Sequence, residues 1–368
     1  MGTLYIGLDV HKVSISVATA QEARDGTVQF LGAIPNTPTD VGKLANRLAK
    51  TGDRLEFCYE AGGCGYGIYR QLVELGHGCT VAATSLIARK PGDRIKTDRR
   101  DSQMLALQHR SGALTAVWVP DEVHEAMRDL VRARGDAMMQ LMRARQQLLA
   151  FLLRHGRTYP VGNNWTLRHR RWLAGQDFDQ EAHRIVFQDY VEAVWTAQDR
   201  RDQLDARIVA LQAGWSLAPL VDALRAIRGL DMVSAVSFVA AVGDLSRFES
   251  PRRLMAYLGL VPSEHSSGDR IRRGGITKTG SREARRMLVE AAWSYRYPAR
   301  VSMGKTDVVS RQPKVVRDVA WKAQVRLCDR YRKLLASGKR STVVVTAIAR
   351  ELSGFIWAIG QEVRPAAP

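Results

Sequence analysis

Three runs of strand-forming residues come before the first helical spacing, and this order constrains the amino-terminal fold more than any other feature of the chain. Leu4–Val10, Val13–Thr19 and Thr27–Ile34 are each apolar or β-branched over a strand's length. Thr37–Lys50 then places Val41, Leu44 and Leu48 at a helical interval. A strand over Arg54–Tyr59, a helix over Tyr66–Leu75 and a strand over Cys79–Ala83 follow. Three strands in succession, then helix, strand, helix and strand, predict an RNase H-like α/β domain over residues 1–118.

Beyond it the pattern turns helical. Met127, Leu130, Met138, Leu141, Leu148 and Leu152 form an apolar stripe along Asp121–His155. A polar connection rich in Trp and Arg, Val161–Gln176, leads to a second charged helical run over Gln180–Leu211. The two runs suit an antiparallel coiled-coil arm or a dimer contact, and equally two helices of a bundle; together they make a middle region, 119–215. In the remainder, 216–368, Gly229 separates two helical runs and Pro251 suits a first helical position. That arrangement resembles a helix-hairpin-helix, whose turn amides grip a DNA phosphate. Arg228 and Asp231 stand where that motif carries proline and glycine. The tail, Val315–Ile359, is helical, interrupted at Ser337 and Gly338, and is expected to pack back on this region.

The formal net charge of +18 draws polyanions, because each phosphate neutralised by Lys or Arg releases counterions. Cys58, Cys64, Cys79 and Cys328 lack the paired spacing of a zinc site or disulfide framework. The start lacks a signal-peptide pattern and no eighteen uncharged apolar residues follow one another. A soluble cytoplasmic protein without membrane association is expected.

A nucleic-acid packing protein would need the charge alone, so the carboxylates decide between binder and enzyme. Asp9 ends the first strand and Glu60 closes the fourth, where neighbouring strands would bring them together. Asp98 and Asp101 sit three apart at a helix start and share one face. Four converging carboxylates repel one another unless a hard cation such as Mg²⁺ holds them. Singly each has a plainer reading: Asp98 as a helix N-cap, Asp101 as a first-turn charge, Glu60 as a solvated strand end. Arg89, Lys90, Arg94, Lys96, Arg99 and Arg100 surround the helix start and suit a phosphate backbone. The opening GLDVHKVSISVA also resembles the first phosphate loop of sugar kinases and actin-like ATPases, but the duplicated second domain of that fold has no counterpart here.

The blocks GLDVHK, CYEAGGCGYGIYRQL and KTDRRDSQMLA resemble the DEDD transposases of bacterial insertion sequences, described as bridge-RNA-guided recombinases. FESPRRLMAYLGLVPSEHSSGDRIRRGGITKTGSREARRMLVEAA resembles their carboxy-terminal transposase domain. The resemblance implies that Asp9, Glu60, Asp98 and Asp101 bind Mg²⁺ in a RuvC-like domain and that Ser267 is a nucleophile forming a phosphoserine link. It further implies strand exchange through a Holliday-junction-like intermediate, with the two catalytic parts of a site supplied by different protomers of a homodimer or homotetramer. Donor and target double-stranded DNA would be chosen by pairing with a structured guide RNA, at the nucleoid.

On the residues alone, Ser266, Ser267 and Gly268 also read as a polar turn, and Ser266 competes for the nucleophile's place. Arg270, Arg272, Arg273 and Lys278 would stabilise charge gathering on phosphoryl oxygens, while Thr277, Lys278 and Arg286 suit contact with phosphate or RNA. The aromatics from Trp165 to Trp172 suit either stacking on RNA or packing beneath the helices. The rival functions are a metal-dependent Holliday-junction nuclease, needing only the acids, and a basic nucleic-acid-binding protein without catalysis.

Overall fold

Alternation along the first strand decides how the amino-terminal unit is layered. β1 (Thr3–Val10) buries Leu4, Ile6 and Leu8 on one face and turns Tyr5, Gly7 and Asp9 to the other. β2 (Ser14–Gln21) and β3 (Val28–Pro35) follow as antiparallel neighbours. After α1 (Pro38–Ala49), β4 (Arg54–Glu60) joins β1 in parallel, and after α2 (Gly67–Glu74), β5 (Gly78–Ala82) joins β4 in parallel. The sheet order is β3-β2-β1-β4-β5, a mixed five-stranded sheet consistent with the RNase H-like order expected. Val41, Leu44 and Leu48 of α1 bury against Leu4, Ile6, Leu8, Leu55 and Phe57 on one side.

The opposite side is covered by α3 (Asp98–Arg110). His109 meets Tyr5 edge-on with ring centroids 5.3 Å apart, Ser102 and Ala106 lie over Gly7, and the first turn lies by Asp9. Helix and strand therefore run in opposite directions, so seating α3 on Gly7 brings its acidic first turn to the end of β1. Arg110, at the far end of α3, donates to the carbonyls of Gln21, Ala23 and Gly26 at 3.0–3.1 Å, fastening the β2–β3 turn.

The computed structural model describes residues 2–88, 97–267 and 270–363, and the chain divides into two units, Met1–Val119 and Pro120–Pro368. The second unit begins with α4 (Glu122–Arg154), α5 (Leu167–Ala174) and α6 (Glu181–Gln212). α4 and α6 pair antiparallel: Arg134 bonds Asp205 at 2.7 Å, Arg200 bonds Gln140 at 2.6 Å and Arg145 bonds Gln198 at 3.1 Å. The polar connection between them contains α5, capped by the Thr166 hydroxyl, which accepts the His169 N–H at 3.2 Å. Its aromatics turn inward: Trp165 and Trp172 pack on the core around Leu148, Phe151 and Leu173, with the Arg145 guanidinium 4.7 Å from the Trp165 ring centroid.

α7 (Ala218–Leu224), α8 (Met232–Val242) and α9 (Pro251–Tyr257) come next. A two-stranded hairpin, β6 (Pro262–Glu264) and β7 (Arg273–Ile276), then interrupts a region expected to be mostly helical. α10 (Arg282–Ala292), α11 (Met303–Ser310), α12 (Lys314–Ala336) and α13 (Ser341–Glu362) complete it. Residues 119–215 contribute to this core, since Met127, Val131 and Ile208 bury among Leu220, Phe238 and Leu288. α13 is long and apolar enough to cross a membrane by length and composition. Here its apolar residues Val344, Ile348, Leu352, Ile356 and Ile359 are buried in that core.

Candidate metal centre and serine hairpin

The end of β1 and the start of α3 build one site. The Thr97 hydroxyl, not Asp98, caps α3, accepting the Arg100 N–H at 3.4 Å. Asp98 and Asp101 stand in the first turn beyond this cap. His11 Nε2 lies 3.2 Å from Asp9 Oδ2 and 3.5 Å from Asp98 Oδ1. Possible ligand atoms of Asp9, His11 and Asp98 all lie within 4.8 Å of one another. Asp101 is near enough that its charge, with that of Asp98, acts on Asp9.

Burial first, and these two like charges after it, push the Asp9 carboxyl above its usual range, while His11 pulls it down. Glu60 ends β4, one residue beyond the Leu8–Tyr59 pair, so it stands beside Asp9 at the ends of adjacent parallel strands. Carboxylates gathered at a half-buried strand end in this way suit a divalent cation, which would relieve the repulsion seen at Asp9. His11 is the member of the site that sequence reasoning passed over. Its signal was its place two residues after a strand-end aspartate, where a side chain returns to the same side as Asp9.

Of the neighbouring basic residues, Arg99 lies over the Phe30 ring at 5.6 Å from its centroid, and Arg100 sits in the exposed first turn of α3. Arg89, Lys90, Arg94 and Lys96 lie outside the described residues.

The second set of residues is carried by the β6–β7 hairpin. Ser267 and Arg270 bond each other's backbone in both directions at 3.2 Å near its tip. The Ser266 hydroxyl is engaged on both sides, donating to Glu264 Oε1 at 2.9 Å and accepting the Arg272 N–H at 3.2 Å. This bond from Ser266, then that of Arg273 Nε at 3.3 Å, holds the Glu264 carboxyl below its usual range. Ser267 is exposed and its hydroxyl has no hydrogen-bond partner among the described residues. Arg270, Arg272, Arg273, Lys278 and Arg286 are exposed around and below it, with Arg286 3.6 Å from Glu290.

The glycine turn between α7 and α8 differs from the phosphate grip expected of it. Gly229 adopts φ +87°, but Asp231 caps α8, its carboxylate accepting the Ser234 N–H while the Ser234 hydroxyl accepts the Asp231 N–H, both at 2.8 Å. An aspartate thus occupies the amides that a phosphate would need and repels an anion from them. The turn's carbonyls point inward to the Lys305 ammonium, at 2.6 Å from Arg225 and Leu230 and 2.8 Å from Ile227. Arg228 is likewise used internally, donating to the Pro298 carbonyl at 2.8 Å.

Two family models match this chain, one toward each end. Residues 6–156 match a DEDD transposase family named for IS110, and residues 221–302 match the family described as "Transposase IS116/IS110/IS902 family". A Sinorhizobium fredii protein named as a transposase, y4qE, is 50% identical over 360 residues, covering 98% of this chain and 89% of its own. The transposase for insertion sequence element IS1533 of Leptospira borgpetersenii is 30% identical over 340 residues, covering 92% and 98%. The pilin gene-inverting protein of Moraxella bovis is 28% identical over 222 residues, covering 58% of each chain.

Proposed function

The chain belongs to the IS110/IS116 family of DEDD transposases, DNA recombinases of insertion sequences that carry a divalent-metal-binding acidic cluster, and from that premise we propose that it cleaves and rejoins DNA with Ser267 as nucleophile. Asp9, Glu60, Asp98 and Asp101 would hold the cation, with Mg²⁺ the expected ion. When bound, it supplies polarisation of the scissile phosphate and charge neutralisation.

The chain's own residues do the rest. Ser267 Oγ attacks phosphorus, an Oγ–P bond forms as the bridging P–O bond to deoxyribose breaks, and a proton leaves the serine while the departing oxygen gains one. Arg270, Arg272 and Arg273, on the same hairpin, stabilise charge on the non-bridging oxygens. Reversal of the step by the hydroxyl of a second strand rejoins the DNA and frees the serine. Ser267 is favoured over Ser266 because a nucleophile must approach phosphorus unencumbered, and the Ser266 hydroxyl is held by Glu264 and Arg272. Rejoining is favoured over cleavage alone because the Moraxella relative is named for inverting a gene, which requires broken ends to be resealed. A structured guide RNA paired to donor and target, and a homodimer or homotetramer acting in the cytoplasm at the nucleoid, complete the reading that the family resemblance implies.

The observation that carries the proposal is the convergence of Asp9, His11 and Asp98, with Asp101 acting on Asp9, where β1 meets α3. The test is a denaturing gel of labelled element-end and target DNA incubated with protein, Mg²⁺ and RNA transcribed from the element's flanks. Wild type is expected to leave label attached to protein, as is Ser266→Ala; Ser267→Ala and Asp9→Asn are expected to leave none. Strand cleavage by Ser267→Ala would establish the nuclease instead.

A further inference from the structure

We propose that the trough between the β6–β7 hairpin and helices α9, α12 and α13 is the track on which a DNA strand's phosphate backbone lies, with Lys278 fixing the strand's position relative to the serine hairpin. The proposal rests on the reading above, that this unit acts on DNA, and adds where the DNA lies.

The trough has a volume of about 890 Å³. Its lining includes the cations Arg252, Lys278, Arg326, Arg330 and Arg350 and a single carboxylate, Glu351, an excess of four positive charges. Glu351 is already bound by Arg326, at 3.2 Å, and by Arg330, so it holds two guanidinium groups at the wall. Met255, Leu260 and Ile276 give the floor an apolar surface, while Gly274 and Gly275 of β7 present bare backbone on the hairpin side. An apolar floor with cationic walls matches the sugar face and the phosphates of a nucleic-acid strand. The hairpin wall continues from Gly274 through Arg273 toward Ser267, so a strand in this trough leads to the nucleophile.

Lys278 is the second observation. It holds a left-handed backbone, φ +58°, although it is not glycine. Its turn is fastened to the end of α9: Lys278 N–H donates to Gly259 O at 3.1 Å, Thr277 N–H to Val261 O at 2.9 Å and the Thr279 hydroxyl to Ala256 O at 3.2 Å. Arg285 reinforces it, donating to Leu258 O at 2.9 Å and Thr279 O at 2.8 Å. The Lys278 side chain is exposed, so packing does not require it there, and glycine would take the same backbone without strain. Strain of this kind persists at clamps where a side chain must be held in place for a ligand.

The test is fluorescence anisotropy of the full-length protein with a labelled mixed-sequence DNA duplex, repeated across salt concentrations, alongside thermal unfolding. Lys278→Gly is expected to keep or raise the unfolding temperature, to weaken binding about tenfold, and to make log K against log salt shallower by about one phosphate's worth. Lys278→Arg is expected to restore the slope. Glu351→Gln is expected to tighten binding, since it removes the one negative charge from the trough. Wild-type affinity and slope in Lys278→Gly, or no tightening in Glu351→Gln, would overturn the track while leaving the serine chemistry standing. Failure of the wild-type protein itself to bind the duplex would remove the reading beneath both.

Discussion

Replacing Gly7 by alanine tests whether the fold delivers the acidic site through one close approach. A Cβ built at Gly7 falls well inside contact distance of Ser102 O, 2.5 Å from Ala106 N and 3.0 Å from the Leu105 Cβ. Two of these are helix backbone, which cannot swing away as a side chain would. Ordinary contact needs about 3.5 Å, so α3 must draw back by about 1 Å. Overpacking of this kind costs about 1–3 kcal/mol, and a shift of about 1 Å at reacting groups costs about a hundredfold in rate. Because Asp98 and Asp101 ride on the helix while Asp9 and Glu60 ride on the sheet, the retreat separates the two halves of the acidic set. Urea unfolding should show the stability loss and a strand-transfer assay the rate loss. Gly42→Ala is the control: it lies within α1, where an added Cβ meets only Gln71 Nε2 at 3.5 Å, and should stabilise by about 0.5–1 kcal/mol. If Gly7→Ala proves as stable and as active as wild type, α3 is not positioned by its seat on β1 and the delivery argument fails.

Lys305→Met should destabilise the second unit by about 3 kcal/mol or more in urea unfolding, because it strands three carbonyls that share the ammonium; an unchanged midpoint would show that the turn needs no internal cation. Burial pulls the His124 imidazole from 6.5 down to about 4, so between those values the unfolded chain takes up a proton that the folded chain refuses. Stability contributed there is full above pH 6.5 and falls as pH drops toward 4, by up to about 3 kcal/mol; the urea midpoint followed from pH 7 to 4.5 should show the decline, and His124→Gln should flatten it. Mg²⁺ or Mn²⁺ should raise the unfolding temperature of wild type in proportion to the logarithm of its concentration, and Asp9→Asn should abolish the response. An equal shift in both proteins would place the ion elsewhere.

The amino-terminal sheet was legible because its strands carry their own instructions. Leu4, Ile6 and Leu8 bury one face of β1, and Asp9 falls at its end whatever the rest of the chain does. Asp98 and Asp101 were legible as a pair because helical spacing is local. What could not be read was the agent that brings pair and strand together, since Gly7 carries no side chain and signals nothing until α3 lies over it. The β6–β7 hairpin was missed for the opposite reason: Ser263, Ser266 and Ser267 among charged residues give no period-2 apolar face, and the strands exist through pairing alone. The inward packing of Trp165 and Trp172 was undecidable too, because an aromatic suits a core and a base equally until its neighbours are known.

Net charge was a correct pointer to nucleic acid and a poor guide to where it binds. A guanidinium or ammonium can be spent inside the protein on backbone carbonyls, and many here are. Arg110 holds the β2–β3 turn, Arg128 donates to Ala240 O at 2.7 Å, Arg247 to Val242 O at 2.8 Å, Arg285 to Leu258 and Thr279, and Lys305 to the Gly229 turn. These cations stay with the fold when phosphate arrives, so they release no counterions and add nothing to the salt dependence of binding. The Gly229 turn makes the point sharply, because the motif that most resembled a phosphate grip is closed from outside by Asp231 and filled from inside by Lys305. Exposed cations whose geometry the fold enforces at a cost to itself are better candidates. Lys278 meets that description through its backbone, and Arg326 and Arg330 through a shared carboxylate. The salt slope of DNA binding should therefore fall well short of what a net charge of +18 suggests, and should change with the trough residues and not with Arg110.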